Sequence, residues 1–178
     1  MNINKISKIF AVCALVGIAG NAFADTKDVE KPFRISVGAF MPSKAALKNV
    51  SGKTWTSFGV SYDLGKTKSD KPWIYSVYGD FTGKKGQLEN GSRVSNDMYG
   101  IGVSGRYMFS SPDAPSTAYA GVGVGAYRLK SGSSTQNKVG FKVSGGYEWK
   151  NGLFGEVSAV QPGIKNANGV EARIGFRF

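Results

Sequence analysis

Val170-Glu171-Ala172-Arg173-Ile174-Gly175-Phe176-Arg177-Phe178 ends the chain. Read with a period of two, it places Val170, Ala172, Ile174, Phe176 and Phe178 on one face and Glu171, Arg173, Gly175 and Arg177 on the other. One face favours hydrocarbon and the other favours ions. A water-soluble domain can satisfy this pattern with an apolar core, but a strand that finishes on an aromatic residue points to lipid on the outside. In lipid every backbone N–H and C=O must find a partner within the protein, so strands span only as a closed barrel. The rest of the chain must then supply enough similar strands to make an even total.

Working back from that strand, seven further segments meet the demand. Phe33 to Met41 alternates Phe33, Ile35, Val37, Ala39 and Met41 with Arg34, Ser36 and Gly38. Trp55 to Leu64 sets Phe58, Val60, Tyr62 and Leu64 against Ser57, Gly59, Ser61 and Asp63, and Trp73 to Phe81 sets Tyr75, Val77 and Phe81 against Ser76, Tyr78 and Asp80. Asp97 to Phe109, Thr117 to Arg128, Lys138 to Trp149 and Leu153 to Gln161 obey the same rule. The reading is therefore an all-β, eight-stranded antiparallel up-and-down transmembrane barrel, with strands long enough for tilted crossings. Lys150-Asn151-Gly152 is a tight hairpin turn, and Ser110 to Ser116, with Pro112 and Pro115, breaks the pattern. Pro42 to Thr54, Thr82 to Asn96, Leu129 to Asn137 and Pro162 to Gly169 read as loops at one end, Thr82 to Asn96 the longest. They average longer than the connections at the other end, as outer loops do when both termini are periplasmic.

Met1 to Ala24 reads as a secretory signal peptide, with Lys5 and Lys8 ahead of the apolar run Ile9 to Gly20 and small residues before the cut. Residues 25–178 then form one outer-membrane barrel domain. Cys13, the single cysteine, lies inside the signal without a convincing lipoprotein box, so the mature chain carries no thiol or acyl anchor. Histidine is absent from the chain, which removes imidazole-based catalysis and the common metal sites. The 25 glycines argue against helices. A mean hydropathy of −0.20 would suit a soluble protein, but it suits a membrane barrel equally, because lumen residues dilute those that face lipid.

The strand charges fall on one face and balance: Asp63, Asp80, Glu148, Glu156 and Glu171 against Arg34, Arg106, Lys142, Arg173 and Arg177. Asp97, Arg128 and Lys138 are set aside as strand ends. An eight-stranded barrel is just wide enough inside to be filled by side chains, and neutralised pairs are the natural filling. A packed polar plug is expected, with glycines on the charged face where a crowded lumen needs small residues. Trp55, Trp73, Tyr107, Trp149, Phe176 and Phe178 gather near strand ends in the manner of an aromatic girdle.

The combination of signal, eight strands and terminal Phe178 resembles the small eight-stranded outer-membrane β-barrels of the OmpA/OmpX type, over the whole mature chain. The resemblance implies residence in the outer membrane of a Gram-negative cell envelope, with Phe176 and Phe178 in the signal that the barrel-assembly machinery reads. No segment is expected to serve as a peptidoglycan-binding domain, and the lack of histidine sets the chain apart from barrel deacylases with a Ser-His pair.

Lys44, Lys48, Lys53, Lys84, Lys85, Arg93, Lys130 and Lys165 occupy the expected outer loops against Glu89 alone. Such a crown would meet lipopolysaccharide phosphates, although solvated loop residues are the plainer reading. The leading expectation is a structural or lipid-organising barrel that binds outer-membrane lipid and lipopolysaccharide, with an adhesin or surface-ligand barrel that takes an external protein ligand as the alternative and a small channel behind it. No enzyme activity is expected, since Ser92, Ser95, Asp97 and Glu89 show no catalytic spacing, and no cofactor is implied. A pI near 9.8 is an ordinary nucleic-acid signal, but the basic residues are dispersed and no stacking module accompanies them. The mature protein is expected to begin at Asp25; intact-mass measurement on the exported protein checks this, and a mass retaining residues 1–24 would contradict it.

Overall fold

The computed structural model describes residues 26–27, 29–44, 52–67, 72–87, 93–111 and 114–178; the side chains of residues 26–27, 85–87 and 93–94 lie outside that description, as does the whole proposed signal segment. Eight long strands run in sequence: β1 Phe33–Pro42, β2 Trp55–Thr67, β3 Trp73–Gln87, β4 Arg93–Met108, β5 Ser116–Ser131, β6 Ser134–Trp149, β7 Leu153–Gln161 and β8 Gly169–Arg177. Each pairs antiparallel with its sequence neighbours, and β8 returns to β1, so the sheet closes on itself. A two-residue piece, Thr26–Lys27, adds to β2 opposite Thr67 and Lys66.

The closing seam runs from Arg34 opposite Arg177 to Pro42 opposite Gly169. Phe178 completes it, since its N–H donates to the Phe33 carbonyl at 2.9 Å and its carbonyl accepts from the Phe33 N–H at 3.0 Å. The last residue is thus part of the ladder that lipid requires.

Alternation along each strand produces an exterior of exposed apolar side chains, among them Ile101, Phe141, Val143 and Ile174. Ile101 is 70% exposed and Phe141 62%, values that would be costly in water and are natural against acyl chains. Near the termini the exterior carries a band of aromatic contacts: Phe33 with Tyr62 and Phe178, Tyr107 with Trp73 and Phe109, and Tyr147 with Trp149.

Inside, the barrel is layered. An apolar cluster of Val29, Ile74, Met108 and Tyr119 fills the end where the termini lie. A larger one, with Phe40, Trp55, Met98, Tyr127, Leu129, Val160, Ile164 and Ala167, fills the far end. Most of the charged side chains lie between them, and the Glu148–Arg177 pair lines a cavity that opens at the termini end.

Two sequence expectations are corrected. Thr82 to Asn96 and Leu129 to Asn137, read as loops, are largely strand: β3 and β4 stay paired up to Gln87 opposite Arg93, and β5 and β6 up to Ser131 opposite Ser134. Backbone pairing continues beyond the lipid because a ladder needs no apolar face once water wets both sides. Trp55, assigned to the outer girdle, is 1% exposed in the far-end cluster. Its spacing of two from the inward-facing Ser57 and four from Gly59 puts it on their face.

The inward-facing glycines seat the aromatic rings of the lumen. Tyr119 faces Gly146, Tyr127 faces Gly100 and Phe154 faces Gly175 directly across neighbouring strands, and in each case a Cβ at the glycine would fall on the ring. Gly155, by contrast, has open space around its missing Cβ. Gly146→Val is expected to lower barrel stability by about 1–3 kcal/mol through overpacking, whereas Gly155→Ala stays close to neutral. Urea unfolding of the two variants refolded into lipid vesicles checks the contrast.

Candidate functional site

The interior face brings together charges from seven of the eight strands. β1 supplies Arg34, β2 Asp63, β3 Asp80, β4 Arg106, β6 Lys142 and Glu148, β7 Glu156, and β8 Glu171, Arg173 and Arg177. β5 contributes Tyr119 and Tyr127 with glycines between them. Strand alternation aims all ten ionic side chains inward, where they form two linked groups.

Toward the termini, Glu148 pairs with Arg177 and, at 3.7 Å, with Arg34. The Arg34 guanidinium lies 3.8 Å from the centre of the Phe154 ring and donates to the Tyr119 hydroxyl at 3.1 Å, which in turn donates to Glu156 at 2.9 Å. Beside them Arg106 Nη2 donates to both Asp63 oxygens, at 2.6 and 2.7 Å, while Ser76 donates to Oδ1 at 2.6 Å.

Toward the far end, Arg173 bridges Asp80 at 2.5 Å and Glu171 at 2.6 Å and also donates to Ser57 Oγ at 3.1 Å. Lys142 lies 3.3 Å from Asp80 and 3.5 Å from Glu156, so Glu156 touches both groups. Above them the Tyr78 and Tyr127 hydroxyls meet at 3.1 Å beneath the apolar layer. A cavity of about 50 Å³ remains among these side chains, enough for isolated waters. Chemically this is a neutralised, hydrogen-bonded interior.

The outer rim is arranged differently. Lys44, Lys53, Lys84, Lys130 and Lys165 are exposed; Lys48 lies outside the described residues, and of Lys85 and Arg93 only the backbone is described. Lys84 Nζ donates to the Thr54 carbonyl at 2.7 Å, which fastens β3 to the 52–54 turn. Arg128 and Lys138, set aside in the sequence as strand ends, are exposed on this rim as well. Asp97 stands opposite Lys130 in the β4–β5 register and accepts from Ser95 Oγ at 2.9 Å, so one carboxylate sits within the basic wall. Phe176 and Phe178, expected from the sequence to belong to an assembly signal, are half-exposed toward the expected lipid at the termini end.

The buried pairs make a stability prediction. Asp63→Leu leaves Arg106 charged and without its partner, an expected loss of about 3–5 kcal/mol. The double variant Asp63→Leu/Arg106→Met removes both charges and is expected to recover most of that loss. Guanidinium unfolding in vesicles measures both, and a double variant no more stable than the single one would contradict it.

No protein-family model and no curated protein matches the chain. Among solved structures, Neisserial surface protein A (NspA) aligns over 82% of this chain and 94% of its own at 16% identity, with a TM-score of 0.59. Ail, the attachment invasion locus protein of Yersinia pestis, solved with the heparin analogue sucrose octasulfate, aligns over 84% and 100% at 13% identity, with a TM-score of 0.49. The N-terminal β-barrel domain of Pseudomonas aeruginosa OprF aligns over 82% and 97% at 12% identity, with a TM-score of 0.45. The likeness to NspA is one of fold. Like NspA, the chain folds as a closed eight-stranded antiparallel barrel, and its exposed apolar exterior around a neutralised polar interior is the arrangement that a barrel in lipid requires.

Proposed function

We propose that this barrel is a structural, lipid-organising component of the outer membrane, without enzymatic activity, whose basic outer rim binds the phosphates of lipopolysaccharide. The observation that carries this reading is the imbalance at the rim: Lys44, Lys53, Lys84, Arg128, Lys130, Lys138 and Lys165 are exposed there, against Asp97 among the described residues. Exposed lysines act as point charges, suited to a dense array of phosphates whose spacing varies. The filled lumen favours this over conduction, since apolar layers stand at both ends of the ionic one. Export through the signal peptide and capture by the barrel-assembly machinery through Phe176 and Phe178 belong to the same proposal.

A second reading, an adhesin that takes an external protein ligand, has one observation in its favour. β3 to β6 continue past the ends of their neighbours as a paired, polar wall, reaching Gln87 opposite Arg93 and Ser131 opposite Ser134. Such a wall presents area above the membrane for a protein to cover.

Binding of the refolded barrel to intact and dephosphorylated lipopolysaccharide, at low and high salt, separates the readings. Preference for the intact lipid, weakened by salt, is expected. Replacing Lys44, Lys53, Lys84 and Lys165 with Gln is expected to weaken binding on the order of tenfold, since each exposed contact contributes little. Equal binding by this variant and the parent would contradict the proposal.

A further inference from the structure

On the outer flank of the barrel, β6 and the β7–β8 connection part company. β6 pairs with β7 only as far as Phe141 opposite Gln161, and beyond Pro162 the connection folds over the far end of the lumen. Ile164 and Ala167 are buried in the apolar cluster there, with the Ala167 N–H donating to the Ile164 carbonyl at 3.1 Å. The turn depends on left-handed backbone at Gly163 and Asn166. Anchored in this way, the connection leaves a groove of about 350 Å³ against the outside of β6, lined by Val139, Phe141, Gln161, Lys165, Asn166 and Asn168, with Gly163 and Ile164 behind them. Its volume is in the range of small-ligand sites, roughly 300–1,000 Å³.

The lining is graded. Val139 and Phe141 belong to the apolar exterior and are half or more exposed. Gln161, Asn166 and Asn168 add three carboxamides, each able to donate and accept hydrogen bonds, and exposed Lys165 adds a cation. No carboxylate lines the groove. Hydrocarbon, hydroxyl-rich and anionic parts of one ligand would therefore find matching surfaces in that order. A glycerophospholipid supplies the chain and the phosphate but few hydroxyls, and it leaves the carboxamides with water. A phosphorylated glycolipid supplies all three.

We infer that this groove is a discrete subsite for one lipid A unit of the outer leaflet, with an acyl chain along Val139 and Phe141, the amide and hydroxyl groups of the acylated sugar on Gln161, Asn166 and Asn168, and a phosphate on Lys165. This deepens the lipopolysaccharide reading given above and rests on it. It differs in placing a stoichiometric, sugar-dependent contact at one point on the circumference, where a basic crown by itself would hold phosphates diffusely.

The test uses the full-length mature barrel in nanodiscs. Photo-crosslinking from p-benzoylphenylalanine in place of Gln161 is expected to capture lipid A, whereas the same group in place of Val122, on the exposed face of β5, captures bulk lipid. The variant Lys165→Gln/Asn166→Gly/Asn168→Ala keeps the turn geometry and is expected to lose about tenfold in lipopolysaccharide affinity with phosphatidylglycerol binding unchanged. Its fold is checked by β-sheet circular dichroism and by resistance to unfolding in cold detergent. Equal loss for both lipids, or equal capture of lipid A from both positions, overturns the subsite. If the triple variant binds like the parent while Lys44→Gln/Lys53→Gln/Lys84→Gln weakens binding, the crown stands and the groove falls. A parent barrel without phosphate-dependent binding sinks both.

Discussion

The seam between β1 and β8 is the contact on which the rest of the molecule depends. A sheet surrounded by hydrocarbon has no tolerance for an open edge, so the eighth strand must find the first along its whole length. Residue Phe178 takes part in that closure through its own backbone as well as through its ring. Once eight strands close, the width of the lumen follows, and that width admits side chains and little else. The composition of every strand then reflects two solvents at once, lipid outside and neighbouring side chains inside.

The interior answers its narrowness with layers. Ionic side chains are gathered at mid-height and apolar clusters stand above and below them. Charges buried singly at that depth would be costly, but Asp80, Glu156 and Glu148 each meet more than one cationic or hydroxyl partner, and Ser76, Ser158 and Tyr119 donate further hydrogen bonds to the carboxylates of Asp63 and Glu156. The result is a filled cylinder that meets its surroundings chiefly through its rim and its lipid-facing wall.

Much of this was legible in the sequence because a period of two survives wherever a strand separates two solvents. Phe33 to Met41 and Val170 to Phe178 could be placed, and their faces assigned, from alternation alone. The extensions from Thr82 and from Leu129 were not legible, since above the lipid both faces of a strand meet water and the alternation fades. The far-end apolar layer was hidden for a related reason. Phe40, Met98, Leu129 and Val160 share the face defined by charges further down, and an apolar residue among ions looks like noise until the layers are seen. The relation of Asp97 to Lys130 needed the β4–β5 register, which single-strand patterns do not contain.

The facing pairs Tyr119–Gly146, Tyr127–Gly100 and Phe154–Gly175 bear on how the barrel reaches a single arrangement. Sliding one strand past another by two residues preserves both faces, so the lipid and the lumen alone would accept it. Tyr127 would tolerate such a slip in one direction, where Gly102 replaces Gly100, but Tyr119 and Phe154 tolerate it in neither. A two-residue shift brings Ser144 or Glu148 beneath Tyr119, and Arg173 or Arg177 beneath Phe154, where their Cβ atoms occupy the space each ring needs. Glycine and aromatic positions thus act as teeth and notches along adjacent strands, a built-in check on alignment that the two-faced pattern alone does not supply.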